Sequence, residues 1–215
     1  MTSNGTVLVR AVVACVLIVA HTTAARALPG DLDPTFGRGG KLRLRVSERL
    51  NAAKALLVQP DGKIVAAGYT SLDPGDRPSE LAAVVVRLLP DGAIDPSFGS
   101  AGAVVIRPRD REATADVVAL QPDGRIVVAG GMHKPRSSRT RLWVARLLPD
   151  GAFDGSFGQN GMVTIGFEGG DALCNVLLLT HDGKILVGGG VHPRQPLRWP
   201  TLALARYLPD GRLDP

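Results

Sequence analysis

The chain is predicted to be all-β, a β-propeller-like array of four-stranded antiparallel blades, and three observations carry that prediction. One phrase recurs at fixed distance: Gly30-Asp31-Leu32-Asp33-Pro34-Thr35-Phe36-Gly37, then Gly92-Ala93-Ile94-Asp95-Pro96-Ser97-Phe98-Gly99, then Gly151-Ala152-Phe153-Asp154-Gly155-Ser156-Phe157-Gly158, with Gly211 to Pro215 opening a fourth copy. Its aspartates Asp33, Asp95, Asp154 and Asp214 stand 62, 59 and 60 residues apart, and a period near sixty marks units that bury their apolar faces only by stacking. Within each unit the apolar segments are short, rich in Val, Ile, Leu and Ala, and punctuated by Asp-Gly, the pattern of strands joined by tight turns. Four such segments per unit match a propeller blade.

The elements follow in order. The first strand of each unit is expected at Lys41 to Val46, Ala103 to Ile106 and Met162 to Ile165. Lys41 to Val46 alternates strictly, placing Leu42, Leu44 and Val46 on one face and Lys41, Arg43 and Arg45 on a wet one, as at an end unit; its counterparts are apolar throughout and should lie deeper. The second strand (Ala52 to Gln59, Thr114 to Gln121, Leu173 to Thr180) meets the third (Lys63 to Ala67, Arg125 to Ala129, Lys184 to Gly188) across a two-residue Asp-Gly hairpin: Asp61-Gly62, Asp123-Gly124 and Asp182-Gly183. There the glycine takes positive φ and the aspartate bonds nearby amides. A variable loop leads to the fourth strand (Leu81 to Leu89, Leu142 to Leu148, Thr201 to Leu208), closed each time by Leu-Pro-Asp-Gly with Asp91, Asp150 or Asp210. Proline ends the strand by removing a ladder donor. The units run at about 30–91, 92–150 and 151–210, with residues 211–215 opening another, so three full repeats form an incomplete ring expected to be completed by further blades or by self-association.

Ahead of the repeats, Arg10 and the apolar run Ala11 to Ala20 lead to Ala25-Arg26-Ala27, the layout of a secretory signal peptide over residues 1–27 with a mature start at Leu28. The run is too short for a membrane span, so the mature protein is expected to be secreted, periplasmic or at the cell surface. Losing Arg10 and Arg26 takes the 25 basic residues to 23 against 20 acidic ones, a surplus too small for nucleic-acid binding. Cys174 is then the sole cysteine, so no intrachain disulfide forms. It aligns with Ala53 and Ala115, a small-residue strand position that argues for a buried thiol. Beside it Lys54, Asp116 and Asn175 share one position, where neighbouring blades can pair Lys54 with Asp116.

The alternation of an (L/I/F)-D-x-(S/T)-F-G-x-x-G phrase, P-D-G-(K/R)-I-(V/L) and A-R-(Y/L)-L-P-D-G resembles the delta-60 repeat family of exported bacterial proteins, over Gly30 to Pro215. The resemblance implies a propeller-like fold and names no activity, because that family is defined by its repeat. Val86-Arg87, Gly155 and His181 depart from its pattern.

Functional candidates are few. The recurring aspartates sit as isolated turn residues without the close D-x-D-x-D ladder of a calcium loop, so no cofactor is expected and calcium is the weaker reading. Arg87, Arg146 and Arg206 each precede Asp95, Asp154 and Asp214 by eight residues, which suggests a repeated charge-assisted hydrogen bond across the inter-blade connection. His133 and His192 are expected at equivalent places in the loops between third and fourth strands, with Lys134, Arg136, Arg139 and Arg141 in one and Arg194, Arg198 and Trp199 in the other. Such loops suit an anionic glycan or wall polymer through charge and stacking. G-x-S-x-G, H-E-x-x-H and P-loop motifs are absent from the sequence, so a non-enzymatic scaffold or binding module is expected ahead of a propeller hydrolase or lyase completed by other blades, or of a degenerate gene remnant.

Overall fold

The computed structural model describes residues 28–48, 50–71, 81–108, 111–134, 139–168, 170–193 and 199–215; the expected signal segment lies outside them. Three antiparallel sheets follow one another along the chain. In the first, β1 (Asn51–Val58), β2 (Ile64–Ser71), β3 (Leu81–Leu88) and β4 (Ala103–Ile106) pair in that order. In the second, the short β5 (Glu112–Ala113) and β6 (Val117–Leu120) both pair with β7 (Ile126–His133), followed by β8 (Arg141–Leu147) and β9 (Met162–Ile165). In the third, β10 (Gly170–Ala172) and β11 (Val176–Leu179) flank β12 (Ile185–Pro193) in the same way, and β13 (Thr201–Tyr207) closes it. The halves β5/β6 and β10/β11 are one interrupted strand each, so the first two blades are four-stranded and the third shows three strands among the described residues, in a propeller-like array. The described residues contain no helix.

The first and second sheets each draw their fourth strand from the next sequence unit. Ala83 to Val86 of β3 lie opposite Ile106 to Ala103 of β4, and Leu142 to Ala145 of β8 lie opposite Ile165 to Met162 of β9. The hydrogen-bonded blade is therefore shifted by one strand from the repeat as read along the chain. This shift explains why the expected strand Lys41 to Val46 is not one: no β3-like strand precedes it among the described residues. Only Lys41 bridges, to Gly37. The alternation persists all the same, because Leu42, Leu44 and Val46 pack on Val84, Val86 and Leu88 while Lys41, Arg43 and Arg45 stay exposed.

The Asp-Gly hairpins have three-residue loops, one longer than expected. Gln59 N donates to Lys63 O and Gly62 N to Gln59 O, so Pro60 and Asp61 make the turn and Gly62, at φ 82°, supplies the left-handed residue that rejoins the strands. Gly124 and Gly183 repeat it at φ 84° and 80°. Asp61 and Asp123 each accept the amide two residues on. The same turn follows β3, β8 and β13: Leu89 N bonds Ala93 O, and Asp91, Asp150 and Asp210 accept from Ala93, Ala152 and Arg212.

Both faces of the middle sheet are buried. Ile126, Val128, Trp143, Ala145 and Leu147 pack toward Val65, Ala67, Ala83, Val85 and Ile106 of the first sheet, and Val127, Ala129, Leu142 and Val144 toward Ile185, Val187, Ala205 and Tyr207 of the third. Period-two strands that are apolar on both faces are the mark of sheets stacked on either side. Each buried Val, Leu or Ile among them contributes about 1.5–3 kcal/mol, and each Ala less.

Candidate functional site: a polar cleft at the inner-strand bulges

The first strands of the three blades, β1, β5/β6 and β10/β11, lie against one another, and each breaks at the same place. Register slips between Ala53 and Ala55 in β1; the equivalent gaps are Thr114 to Asp116 and Leu173 to Asn175. The cause is on the partner strand, where a Cβ on Gly68, Gly130 or Gly189 would lie 1.9, 1.8 or 2.0 Å from the carbonyl oxygen of Ala52, Thr114 or Leu173. Only glycine lets that carbonyl approach, and the bulge so formed re-aims the next residues. The bulges also join blades, since Ala115 N donates to Gly68 O at 3.0 Å.

At these bulges opens a cleft of about 700 Å³ lined by Lys54, Asp116 and Asn175, together with Glu112, His133 and Thr140. Asp116 Oδ2 accepts from Thr114 Oγ1 and from Gly131 N, both at 3.2 Å. Burial raises the Asp116 carboxyl above its ordinary value, and the Gly131 amide, the Thr114 hydroxyl and the charge of Lys54 only partly oppose this. Lys54 thus acts on Asp116 through its field, in place of the direct pairing that sequence alignment allowed. Glu112 Oε2 lies 3.1 Å from His133 Nε2, an ion pair whenever the imidazole is protonated. Beneath them Trp143 Nε1 donates to the Thr114 and Gly131 carbonyls at 3.1 Å, fixing the bulge from the core side. Cys174 also borders the cleft; burial, then the nearby Asp116 charge, pushes its thiol up to about 12, so it is protonated and inert at neutral pH.

The expected contact residues divide. His133 and His192 are strand residues of β7 and β12, opposite Glu112 and Asp171, and do not belong to loops; β7 and β12 run further than expected because the Gly-rich ends pair with β5 and β10. His133 enters the cleft, whereas His192 is exposed and does not line it. Lys134, Arg139 and Arg141 are exposed at the same ends of the sheets, and Trp199 is 87% exposed just before β13. Arg136, Arg194 and Arg198 lie outside the described residues.

The repeat-defining residues form a separate structure at the turns. Arg87 Nε donates to Asp95 Oδ2 at 2.8 Å and Nη2 to Ser97 Oγ at 3.1 Å, while Nη1 reaches the Pro149 carbonyl of the next blade. Its guanidinium lies 4.6 Å from the centre of the Phe98 ring. Arg146 repeats every contact with Asp154, Ser156, Pro209 and Phe157, and Arg206 pairs with Asp214. Gly37, Gly99 and Gly158, at φ 56°, 57° and 56°, donate their amides to Asp91, Asp150 and Asp210 carbonyls. The Ser97 hydroxyl holds the Asp95 carboxyl well below its ordinary range; burial opposes this, and the Ser97 amide, Lys63 and Arg87 reinforce it. For Asp154 burial pulls upward, and the Ser156 hydroxyl and amide with Arg146 outweigh it, leaving the carboxyl lowered. Asp33 has Thr35 as its partner.

Two kinds of residue escaped the sequence reading. Lys63, Arg125 and Lys184 lie 3.2, 3.0 and 3.1 Å from Asp95, Asp154 and Asp214, a second cation on each carboxylate; their shared place after Asp-Gly was the available signal. Glu112 lines the cleft at the place that Asp171 takes in the next unit, each opposite a histidine, so the recurring acid–histidine pair was the available signal, whereas the repeat does not mark Thr140. Among the described residues no three His, Cys, Asp or Glu side chains gather as metal ligands.

No curated protein matches the chain. A family model described as a domain of unknown function (DUF5122), beta-propeller, matches residues 59–98 and 121–157. Both segments start at the Asp-Gly hairpin, cross the blade and end in the Asp-x-Ser-Phe phrase, so the similarity is to a β-propeller repeat family and falls on the residues that join one blade to the next.

Proposed function

We propose that this chain is an exported, non-enzymatic repeat module of the delta-60 type that holds an anionic glycan or cell-wall polymer at the cleft and the basic sheet ends around it. The observation that carries the reading is the cleft itself: carboxyl, imidazole, hydroxyl and amide groups line it, cations stand beyond them, and an unshielded indole lies on the neighbouring blade. Hydroxyl-rich rings suit such acceptors and donors, acidic groups suit Lys134, Arg139 and Arg141, and an exposed tryptophan offers a face for a ring to stack on. Export is supported by the charged, apolar and small-residue order of residues 1–27. Titration of the chain with polygalacturonate and with purified cell-wall sacculi tests the reading. Arg141→Glu combined with Trp199→Ala should weaken binding at least tenfold with the circular dichroism spectrum unchanged; equal binding by the variant would remove the proposed surface. Protein recovered from the medium should begin at Leu28.

The Asp116 carboxyl, raised by burial, in one cleft with the Glu112–His133 contact favours a second reading, a hydrolase or lyase acting on the same class of polymer, because an acid, a carboxylate and an imidazole facing one cleft are the groups proton transfer uses. Turnover lost in Asp116→Asn with binding retained would select it over the binding module.

A further inference from the structure

The interface that joins blade to blade is used twice inside this chain, and the chain also carries both of its halves unused. On the third sheet the outward face presents Leu202, 82% exposed, and Leu204, 56% exposed; their equivalents on the middle sheet, Leu142 and Val144, are 1% and 0% exposed. Val176 and Leu178 stand beside them, also exposed. At the opposite end Leu56 and Val58 are exposed, whereas their equivalents Val118 and Leu120 pack into the first inter-blade core. Among the described residues β13 pairs with no strand but β12, so its other side is an open sheet edge. Lys41 to Val46, the segment that pairs with a β3-like strand in both later units, has no strand to pair with among the described residues.

We infer that a second copy of this chain docks head to tail, with Leu202 to Ala205 of β13 pairing antiparallel to Leu44 to Lys41 of the other copy. The register follows from the two internal examples: Ala203 opposes Arg43, as Trp143 opposes Thr164 and Val84 opposes Val105. Arg206 points to the same partner. Its side chain is 51% exposed where Arg87 and Arg146 are each 7%, because those two reach the Pro149 and Pro209 carbonyls and lie over Phe98 and Phe157. The equivalent groups for Arg206 are Pro90 and Phe36 of a second copy. Phe36 is partly exposed here while Phe98 and Phe157 are fully buried. Residues 211–215 and 30–34 are copies of one phrase and compete for the seat beside Arg206; Asp214 already occupies it, so residues 28–34, exposed throughout, are the ones displaced. Rings are favoured with 4 to 8 blades. Two sets of the three described sheets make six blades, within that range, and a heterologous contact that closes gives a finite dimer.

The test uses the full chain, exported and purified. Light scattering should give twice the chain mass, and Leu202→Asp with Leu204→Asp, at positions exposed in the single chain, should give the chain mass with an unchanged dichroism spectrum. Arg43→Cys with Ala203→Cys should form an intermolecular disulfide on mild oxidation, since non-hydrogen-bonded neighbours in antiparallel strands have Cα atoms about 4.5 Å apart. Lys41→Cys with Ala203→Cys, two residues out of register, should not. A monomer at every concentration overturns the proposal, as does a dimer that survives the double Asp variant or crosslinks equally in both cysteine pairs.

Discussion

At the scale of single residues, the three arginines offer a controlled comparison, one side chain in one motif at different burial. Removing one partner of a buried pair strands the other charge and costs about 3–5 kcal/mol, whereas an exposed pair contributes about 0–1 kcal/mol. Arg146→Ala should therefore lower the unfolding free energy in urea by roughly 3 kcal/mol, and Arg206→Ala by under about 1 kcal/mol in the single chain. The carboxylates set the acid limit. A carboxyl lowered on folding, as Asp95 and Asp154 are, contributes stability that is present above the unfolded value near about 4 and is lost as pH falls through the folded value. Wild type should thus lose stability steeply below about pH 4, and Asp95→Asn with Asp154→Asn should be weaker at pH 7 with a flatter acid limb. Asp116 has the opposite sign: raised on folding, it costs stability above the unfolded carboxyl value. Asp116→Asn should raise the urea midpoint at pH 7, with the gain vanishing in acid where wild type is also neutral.

At the scale of elements, the glycine opposite each bulge sets the cleft. Gly130→Ala places a Cβ 1.8 Å from the Thr114 oxygen, backbone that cannot swing aside as a flexible side chain would. The expected cost is about 1–3 kcal/mol of stability, with ligand affinity falling as well because Thr114 to Asp116 must shift; an unchanged midpoint in urea would mean that the bulge is not held by this contact. The strands themselves were legible, because short apolar runs between Asp-Gly turns leave little choice of element. Their interruption was not: a bulge is a local backbone event, and its sequence trace is one glycine on the partner strand about fifteen residues away. His133 was misplaced for a related reason, since the Gly130-Gly131 pair reads as a turn by composition but continues the strand, opposite Trp143 and Leu142 of β8 and with the Gly131 carbonyl accepting from Thr114 N.

At the scale of the whole molecule, the period near sixty made the propeller-like architecture legible, and the eight-residue spacing of arginine and aspartate pointed to the inter-blade turns. The cut between blades was hidden, because a repeat in sequence has no fixed starting point and hydrogen bonding alone decides which strand closes which sheet. Lys41 to Val46, Ala103 to Ile106 and Met162 to Ile165 read alike, yet only the latter two follow a strand that they can pair with. Strand exchange of this kind ties each unit to the next, so the array should unfold as one cooperative transition; two separated transitions in calorimetry would contradict that coupling.

The most direct test is amide hydrogen exchange of those three segments within one sample. Paired strand amides exchange slowly and unpaired extended ones fast. At high dilution, where single chains dominate, 103–106 and 162–165 should be protected and 41–46 should not. On raising the protein concentration, 41–46 and 201–207 should gain protection together. Equally fast exchange of all three segments in the dilute chain would contradict this, because it would mean that no sheet is closed by a strand from the following unit, and so would equally slow exchange, because 41–46 would then be paired within the single chain.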